Sequence, residues 1–472
     1  AEMISVLFSG VIGSLAFTFS DTFWFSAVEG EVYSMASMFI ALVVWLITKW
    51  ENEYHDSDSQ RWIILIFFIV GLSVGVHMMV MLAVPAVCFI YYARNYKFTW
   101  KNFIIANFIT LGVLAFVFKG IFPIVMRLFG KSEIFFVNSV GLPFHSGTII
   151  AFMILVAFCY YIIRYTRKTK NNLYQTAALS VVYMIIGFSC WMMIPIRANA
   201  NPPMNLNNPD TAIGMLDYYN REQYGDWPTI YGQNYTAHLD AHGIERNEDG
   251  GYKTIKTGDV YEKNEETGKY EKIDERTSYV YNKEHVSFLP RMYNSDKTVM
   301  SNYVSMYGAP DFEFNYSNEK VVDNPHAKEA FEQLKAKYED GNITADDYLK
   351  VKSYDLIKIK KPTLAQNLHY FIDFQNGYYF ARYLMWNFVG RQNDLEGHME
   401  NTNGNWISGI SAIDSMMLGD QDNLPSNFKN ESTVYFFFLP FLLGIIGFAY
   451  QSLKDFGRLY ALLSIFILMS VG

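Results

Sequence analysis

Long apolar runs alternate with short polar loops over most of the chain, and one long segment is polar throughout. A bilayer core of roughly 30 Å takes about 20 helical residues. Runs near that length predict membrane spans at about 3–20, 32–49, 102–119, 146–163, 173–194, 433–450 and 457–472. The polar segment, residues 197–430, separates the last two runs from the others.

The apolar stretch from Arg61 to Tyr92 is too long for one span. A helix of its 32 residues would be roughly 48 Å long at about 1.5 Å per residue. Gly71, Gly75 and His77 lie near its middle. We therefore predict a tight helical hairpin there, which brings the predicted number of spans to nine.

The basic residues of the short loops agree with this division. Cytoplasmic loops concentrate Lys and Arg. Alternate loops, beginning with the one at 49–61, carry eleven basic residues, whereas the opposite loops at 20–31, 71–77 and 119–145 carry three. The sequence thus predicts that residues 197–430 face the outside, which is the periplasm in a bacterium. The predicted location is the bacterial inner membrane.

These patterns predict a mostly α, polytopic helical membrane protein in three parts. Residues 1–196 form seven spans, residues 197–430 form a mixed extracytoplasmic domain, and residues 431–472 form two further spans. The chain begins without Met and ends inside an apolar run, so we expect it to be an internal piece of a longer protein.

Three elements are predicted inside the extracytoplasmic domain. Residues 240–290 are polar and typical of exposed hairpins or mobile loops. Residues 324–352 have apolar side chains at three- and four-residue spacing, which predicts a helix. Residues 366–388 contain nine aromatic residues, which suits a helix lying at the level of the lipid headgroups.

Charge separates along the chain in the same way. The 38 Lys and Arg against 46 Asp and Glu give a net charge of −8, and residues 197–430 alone carry 24 basic and 35 acidic side chains, a net of −11. The sharp division excludes an ordinary water-soluble enzyme. The acidic balance disfavours nucleic acid as a partner. Cys88, Cys159 and Cys190 have no metal-ligand spacing, so no disulfide framework or zinc site is predicted.

The first predicted external loop carries the candidate catalytic residues Asp21, Glu29 and Glu31 and no basic side chain. Carboxylates at a membrane boundary can deprotonate a hydroxyl, ligate a divalent cation or hold a sugar. The alternative is that they are solvated loop charges. Glu29 and Glu31 abut aromatic residues at the entrance of a span, which favours a functional role for at least one of them.

His77, at the tip of the predicted hairpin, has two open interpretations. An imidazole there could bind a phosphate or a sugar hydroxyl. A histidine that caps a helix or is satisfied within the core explains the same position equally well.

The richest group of candidate binding residues follows the seventh predicted span. Arg197 lies where the helix leaves the membrane and suits a phosphate at headgroup depth, although Arg also anchors helix ends by snorkelling. Pro209-Asp210 predicts a helix start with Asn208 or Asp210 as the cap. Arg221 and Glu222 could equally form a structural ion pair. The full group of candidates is Arg197, Asn199, Asn201, Tyr219, Arg221 and Glu222.

Arg391 and Asp394 follow the aromatic helix. They could form a latch at its C-terminus, or they could face the same cavity as Arg197, and we favour the cavity. Phosphate-loop, HExxH and CxxC patterns do not occur, so cytosolic nucleotide chemistry and metal hydrolysis lack support. The predicted spans carry almost no charge, which disfavours a secondary transporter.

Several sequence words, spread in order over nearly the whole chain, resemble a family of bacterial multi-pass membrane proteins. That family was long of unknown function and is now grouped with the eukaryotic transmembrane O-mannosyltransferases as GT-C glycosyltransferases. The words are FTFSDTFWFSAVEGEVY at 17–33, GLSVGVH at 71–77, RANANPP at 197–203, NPD at 208–210, YNREQYG at 219–225 and WNFVGRQND at 386–394.

The resemblance implies many spans and an active site on the outer face of the membrane. It also implies a polyprenyl-phosphate sugar as donor and a protein hydroxyl as acceptor. The acidic word that usually supplies the base would lie upstream of the first span present here. Ala1 would then begin near the third helix of the family, and Asp21, Glu29 and Glu31 would belong to the second external loop.

The leading hypothesis is therefore a membrane glycosyltransferase that inverts the anomeric carbon. Arg197, with Arg221 or Arg391 and His77, would hold the phosphate. Glu29 and Glu31 would orient acceptor or sugar, and Tyr219, Asn199 and Asn201 would line the pocket. The acceptor would be a secreted or membrane protein. The alternative from another class is a non-catalytic scaffold or lipid-binding subunit of an envelope complex, and a transporter is third.

Overall fold

A computed structural model of the chain describes residues 2–225, 227–421, 423–425, 428 and 431–470. Its first half is a bundle of apolar helices. In chain order these are α1 (Glu2–Thr18), α2 (Asp21–Val28), α3 (Val32–Asn52), α4 (Gln60–Ser73), α5 (Met78–Asn95), α6 (Trp100–Ser139), α7 (Ser146–Thr169) and α8 (Asn172–Ala198).

The polar segment folds into short helices and four two-stranded antiparallel sheets. Its helices are α9 (Ala212–Asn220), α10 (Thr236–Leu239), α11 (Lys297–Tyr307), α12 (Glu319–Val322), α13 (Pro325–Glu339), α14 (Ala345–Lys352), α15 (364–388) and α16 (Ser411–Leu418). The strand pairs are β1 (Tyr231–Gln233) with β4 (Val286–Phe288), β2 (Thr254–Asn264) with β3 (Lys269–Tyr279), β5 (Phe312–Phe314) with β6 (Ile357–Ile359), and β7 (Gly390–Arg391) with β8 (Val434–Tyr435). Two apolar helices follow, α17 (Leu439–Lys454) and α18 (Phe456–Ser470).

Among the described residues, five helices are long and apolar enough to cross a membrane: α3, α5, α6, α7 and α8. The pair α1 and α2 passes the same criteria together but is bent by 61°. The remaining apolar helices α4, α17 and α18 are shorter, at 14, 16 and 15 residues. The mostly helical architecture agrees with the prediction, while the count of nine spans stays a prediction. The last two residues of the predicted span 457–472 lie outside the described residues.

Within 61–92, α4 and α5 are separate helices with a break at the predicted position. Two glycines explain how closely α4 packs against α8. A Cβ added at Gly71 would lie 2.0 Å from the carbonyl oxygen of Met184, and one added at Gly187 would lie 2.2 Å from the carbonyl oxygen of Phe68. Small residues at such crossings let helix backbones touch, which favours packing where lipid provides no hydrophobic driving force.

Two predictions about helix limits are wrong. The sequence predicts a loop over 119–145, but α6 continues to Ser139 through π-helical turns at Phe116–Ile121 and Phe135–Ser139. Apolar side chains such as Phe122, Val125 and Met126 remain on its buried face, so the packing that supports a helix does not stop at Lys119. The start expected at Pro209-Asp210 also moves, because Thr211 is the N-cap of α9 and accepts from the amide of Gly214.

The predicted elements of the polar segment are largely found. Residues 240–290 contain the hairpin β2–β3, and residues 366–388 lie in α15. The helix predicted over 324–352 is instead two helices, α13 and α14. Gly341 separates them with a φ of +70°, a conformation that favours glycine, and Thr344 then opens α14 with a capping box to Asp347.

Side-chain contacts define two ends of the bundle. At one end, Asn138 of α6 bonds to Tyr270 of the polar segment, and we call this end the domain side. At the other end, helix termini bond to one another, as in the 2.9 Å ion pair between Arg458 at the start of α18 and Glu51 at the end of α3. The bundle and the polar segment have separate hydrophobic cores, centred on residues such as Trp50 and Tyr348 respectively.

Candidate functional site

The first loop on the domain side is tied to a segment 370 residues later in the chain. Asp21 begins α2, and its Oδ2 lies 2.5 Å from Nη2 of Arg391. The Nε of Arg391 donates to the carbonyl of Ser432 at 2.7 Å, and the guanidinium lies over the ring of Trp386. The Arg391 side chain is 12% exposed and that of Asp21 is 49% exposed. Arg391 is thus a fixed donor that holds Asp21, and we name this the Asp21–Arg391 contact.

Neighbouring bonds strengthen this junction. The hydroxyl of Thr22 donates to Oδ1 of Asn387 at 2.5 Å. The carboxylate of Asp394 accepts from the hydroxyl of Ser432 at 2.8 Å, while its backbone amide donates to the same hydroxyl. Asp394 therefore fixes the turn that carries Arg391.

Glu29 and Glu31 lie on the exposed surface of the same loop. Glu29 ends α2 and Glu31 precedes α3 without a side-chain cap. Two residues later, the ring of Tyr33 lies 5.5 Å from that of His77. The loop therefore joins the Asp21–Arg391 contact to the start of α5.

His77 caps the first turn of α5. Its Nδ1 accepts from the amide of Met79 at 3.1 Å, so the capping interpretation describes this nitrogen. The cap does not use Nε2. The ring is half-buried. Nε2 could therefore still bind a phosphate or a sugar hydroxyl.

An apolar groove of about 810 Å³ lies between α6, α7, α8 and α9. Most of its wall consists of aliphatic and aromatic side chains such as Phe152, Val156 and Ile185. At the domain side the wall becomes polar. We name this polar end the mouth, and it consists of His145, Thr148, Asn199, Asp210 and Thr211.

Asn199 is the predicted binding residue that lines the groove. Its Nδ2 donates to the carbonyls of Pro195 and Asp210, both at 2.8 Å, and so ties the loop after α8 back to the helix end. Arg197 is exposed two residues earlier, in the last turn of α8. Asn201 is also exposed and has a φ of +48°, in the left-handed region that Asn tolerates.

The other predicted binding residues lie around the end of α9. Tyr219 is buried against Trp191 of α8, at 5.4 Å between rings, and this burial raises the pKa of its phenol to about 12. Arg221 stacks over Tyr224, and Glu222 accepts from Asn220. The structure does not pair Arg221 with Glu222.

Sequence reasoning missed Glu133, which is completely buried at the domain-side end of α6. Its carboxylate accepts from the amides of His145 and Thr148, from the Thr148 hydroxyl, and from the phenol of Tyr270. A buried carboxylate is stable only when donors of this kind surround it. The signal was a lone acid in an otherwise apolar helical stretch. The Glu133 carboxylate fixes the start of α7 beside the mouth of the groove.

The predicted site residues thus fall into two groups on the domain side. One group is the Asp21–Arg391 contact with Asp394, and the other surrounds the exit of α8. Arg391 is engaged with Asp21, and neither it nor Arg197 lines the groove. Between the groups lies His77, on a segment whose Gly75 packs against Cys190 near the end of α8.

Comparison with known proteins gives partial matches. Residues 1–100 match the family described as the N-terminal domain of protein O-mannosyl-transferase TMEM260, and residues 225–372 match a family of unknown function (DUF8416). The chain is 27% identical over 111 residues to protein O-mannosyl-transferase tmem260 of Dictyostelium discoideum, which is 21% of this chain and 13% of that protein. No solved structure matches the chain.

The match of residues 1–100 and the similarity to the Dictyostelium discoideum protein support the O-mannosyltransferase grouping that the sequence words suggested. The matched region 1–100 contains the words at 17–33 and 71–77. It therefore includes the acidic first loop and the helices α4 and α5. The aligned part is a small fraction of the curated relative, so the activity of the whole relative is a basis for a proposal about this chain.

Proposed function

We propose that this protein is a membrane glycosyltransferase of the GT-C type. It transfers mannose or a similar hexose from a polyprenyl-phosphate donor to a Ser or Thr hydroxyl of a secreted or membrane protein. The similarity of residues 1–100 to a protein O-mannosyl-transferase domain supports the reaction. The apolar groove is the observation that supports a lipid-linked sugar as the donor.

The groove has the composition that an isoprenoid chain requires. Its wall is almost entirely apolar along the helices, and its volume of about 810 Å³ is within the range of sites for small ligands. Each Å² of apolar surface that a lipid chain buries there contributes about 25 cal/mol. Most of the polar groups lie at the mouth, where the phosphate of such a donor would leave the apolar part.

The departing phosphate gains negative charge and needs donors that strengthen as the charge develops. Arg197 is exposed at the helix end two residues from Asn199 of the mouth. Arg221 and the Nε2 of His77 are further hydrogen-bond donors on the domain side. We assign the phosphate first to Arg197.

The exposed carboxylates Glu29 and Glu31 would orient the acceptor hydroxyl or the sugar. Asp21 is held by Arg391 and would position the loop that carries them. Among the described residues, no three His, Cys, Asp or Glu side chains lie close enough together to hold a metal ion, so a divalent cation has no part in this proposal. We place the reaction on the domain side, and the loop charges favour this as the outer face, in a bacterium the periplasmic face of the inner membrane.

The test uses purified full-length protein, labelled polyprenyl-phosphate sugars and a Ser/Thr peptide. Val156 and Ile154 lie on α7, are about half exposed, and differ in that only Val156 lines the groove. Val156→Trp narrows the groove and should raise the KM for the donor at least about fivefold, which corresponds to roughly 1 kcal/mol of lost contact. Ile154→Trp should leave it unchanged.

Two results would contradict the proposal in different ways. If the wild-type protein transfers none of several sugars, the proposed glycosyltransferase activity is excluded. If transfer occurs but both Trp variants behave alike, the groove is not the donor site.

A non-catalytic scaffold or lipid-binding subunit is the second candidate. The observation that favours it is the large acidic domain with its own hydrophobic core, to which a partner could bind. Arg197→Ala and Glu29→Ala discriminate between the two functions. A scaffold should keep its partner in both variants, whereas an enzyme should lose transfer.

A further inference from the structure

A second cavity, more polar than the groove and separate from it, lies between α15, the loop at 392–410 and α16. It has a volume of about 300 Å³ and shares no lining residue with the groove. The side chains that give it its chemistry are Asp373, Tyr378, Arg382, Asn405 and Trp406. We name it the Trp406 pocket.

An unusual backbone builds one wall of this pocket. α15 contains twelve consecutive π-helical residues, Tyr370–Ala381. Such turns are rare in proteins and frequently occur at functional sites. The π segment supplies Asp373, Gly377 and Tyr378, so its wider turn brings residues four and five apart to one cavity.

Contacts within the protein hold the side chains that line the pocket. Arg382 donates through Nε to the carbonyl of Tyr378 at 3.1 Å, donates through Nη1 to Gly404, and stacks on the Tyr378 ring. The phenol oxygen of Tyr378 accepts from the amide of Met399 at 2.9 Å. The Nδ2 of Asn405 donates to three acceptors of the same loop. The side-chain carbonyl oxygen of Asn405 is therefore the group that can accept a hydrogen bond from a ligand.

The remaining groups specify the ligand. Asp373 accepts from the Tyr307 hydroxyl through Oδ2, so its other oxygen is available to a hydroxyl donor. Trp406 provides an aromatic face. One carboxylate and one guanidinium balance in charge, which disfavours a phosphate or a metal cation. A neutral, compact ligand with several hydroxyls and an apolar face satisfies all of these conditions.

We propose that the Trp406 pocket binds a neutral hexopyranose. Its volume suits one sugar ring, with a C–H face on the indole and hydroxyls donated to Asp373 and Asn405. The proposal goes beyond the transfer reaction, because the pocket is distinct from the groove and its mouth. It adjoins the Asp21–Arg391 contact, since Trp406 pairs with Arg391 in a β-bridge.

The experiment is photo-crosslinking of full-length protein in nanodiscs with a diazirine derivative of methyl mannoside, followed by mapping of the labelled peptides. We expect label in residues 373–418 that excess free methyl mannoside removes. Trp406→Ala and the milder Asp373→Asn should each reduce it at least about fivefold, as expected for the loss of an aromatic contact or an ionic acceptor. Trp227→Ala, an exposed aromatic residue of the same domain, should label like the wild type.

Further arms identify the source of the sugar. Competition by a polyprenyl-phosphate hexose but not by a mannosylated peptide assigns the pocket to the donor sugar, and the reverse assigns it to a sugar already on the acceptor. The Val156→Trp variant keeps the label if the pocket is independent of the groove, so this result does not depend on the transfer reaction.

Three outcomes would overturn the proposal. One is label in 373–418 that free sugar does not compete. Another is equal labelling by a glycerol diazirine or competition only by an unglycosylated peptide, which would make the cavity a peptide site. The third is full labelling of Asp373→Asn and Trp406→Ala variants whose melting temperatures match the wild type.

Discussion

Arg197 shows, at the scale of a single residue, that the position of a side chain does not by itself identify its function. Its side chain is exposed at the end of α8, and among the described residues no hydrogen bond or ion pair engages its guanidinium. An Arg that merely anchors a helix and an Arg that binds phosphate would both stand there. The two roles differ in what Lys can replace, because both side chains snorkel but only Arg offers a planar fork.

We predict that Arg197→Lys folds and inserts normally but transfers sugar at least about tenfold more slowly. A bidentate contact that strengthens in the transition state contributes on the order of 2–4 kcal/mol, and a single ammonium retains part of it. Transfer rates at matched protein levels measure the effect. Near-normal turnover would identify Arg197 as an anchor of the helix end. The phosphate-binding role would then be assigned to Arg221 or His77, because Arg391 is held by Asp21.

His238 is a half-buried titratable residue of the polar segment. It lies on α10, where burial, and secondarily the charge of Lys352, lower the pKa of its imidazole to about 4. The free imidazole has a pKa near 6.5. Between these values the unfolded chain binds a proton that the native protein excludes, so the free energy of unfolding falls as pH drops from about 6.5 to about 4.

We predict that this residue alone removes about 1–2 kcal/mol of stability between pH 7 and pH 4, a figure reduced because the ring is partly exposed. The Tm of the full-length protein, measured across this range, should fall less in His238→Gln than in the wild type. Tyr281, whose hydroxyl lies 3.4 Å from Nε2, can still bond to the Gln amide. Parallel Tm curves for the two proteins would refute this assignment.

Among the elements, the hairpin β2–β3 depends on the bundle for its position. A two-stranded hairpin has little stability of its own. Tyr270 of β3 is 3% exposed, exchanges two hydrogen bonds with Asn138 at 2.7 and 2.9 Å, and packs on Phe144. Because its phenol also bonds to Glu133, the hairpin and the start of α7 are held by one buried carboxylate.

We predict that Tyr270→Ala releases the hairpin and makes its lysines at least about tenfold more sensitive to trypsin. The variant loses an aromatic contact and leaves Glu133 with one donor fewer, a cost of roughly 2–4 kcal/mol. Tyr279→Ala is the matched control, because that residue lies on the same strand and is 47% exposed. Equal cleavage of both variants would show that the hairpin is held elsewhere.

Across the whole molecule, the last helix packs against helices of the first half of the chain. The rings of Phe89 in α5 and Tyr460 in α18 lie 4.6 Å apart, and the Tyr460 hydroxyl donates to Asn107 in α6. On the domain side, α2 bonds to the segment after α15. The acidic first loop is therefore positioned by residues that come late in the sequence.

We predict that Thr22→Cys and Asn387→Cys form a disulfide under mild oxidation, because their side-chain oxygens are 2.5 Å apart. After cleavage at a protease site inserted in the β2–β3 turn, the two fragments should stay joined until reduced. Thr22→Cys with Phe388→Cys is the control, since the neighbouring side chain points elsewhere. Equal yields from the two pairs would contradict the contact. Both pairs are made after the native thiols are replaced, at Cys88, Cys159 and Cys190.

The sequence by itself determined the features that follow from local composition. Apolar runs located the helices of the bundle, because the length and hydropathy of a span are properties of consecutive residues. Gly71 to His77 correctly marked the break between α4 and α5. The aromatic helix at 366–388 and the hairpin within 240–290 were predicted for the same reason. The ends of α6 and α9 were not, since packing of Phe122 and capping by Thr211 decided them.

Only the tertiary structure decided which side chains meet. Asp21 and Arg391 are separated by 370 residues, and nothing in either segment specifies the other as its partner. Glu133 could be understood only once Tyr270 and the start of α7 surrounded it. The groove and the Trp406 pocket likewise consist of residues from several elements. Local pattern specifies helices and strands, whereas a cavity is set by how their surfaces fit together in space.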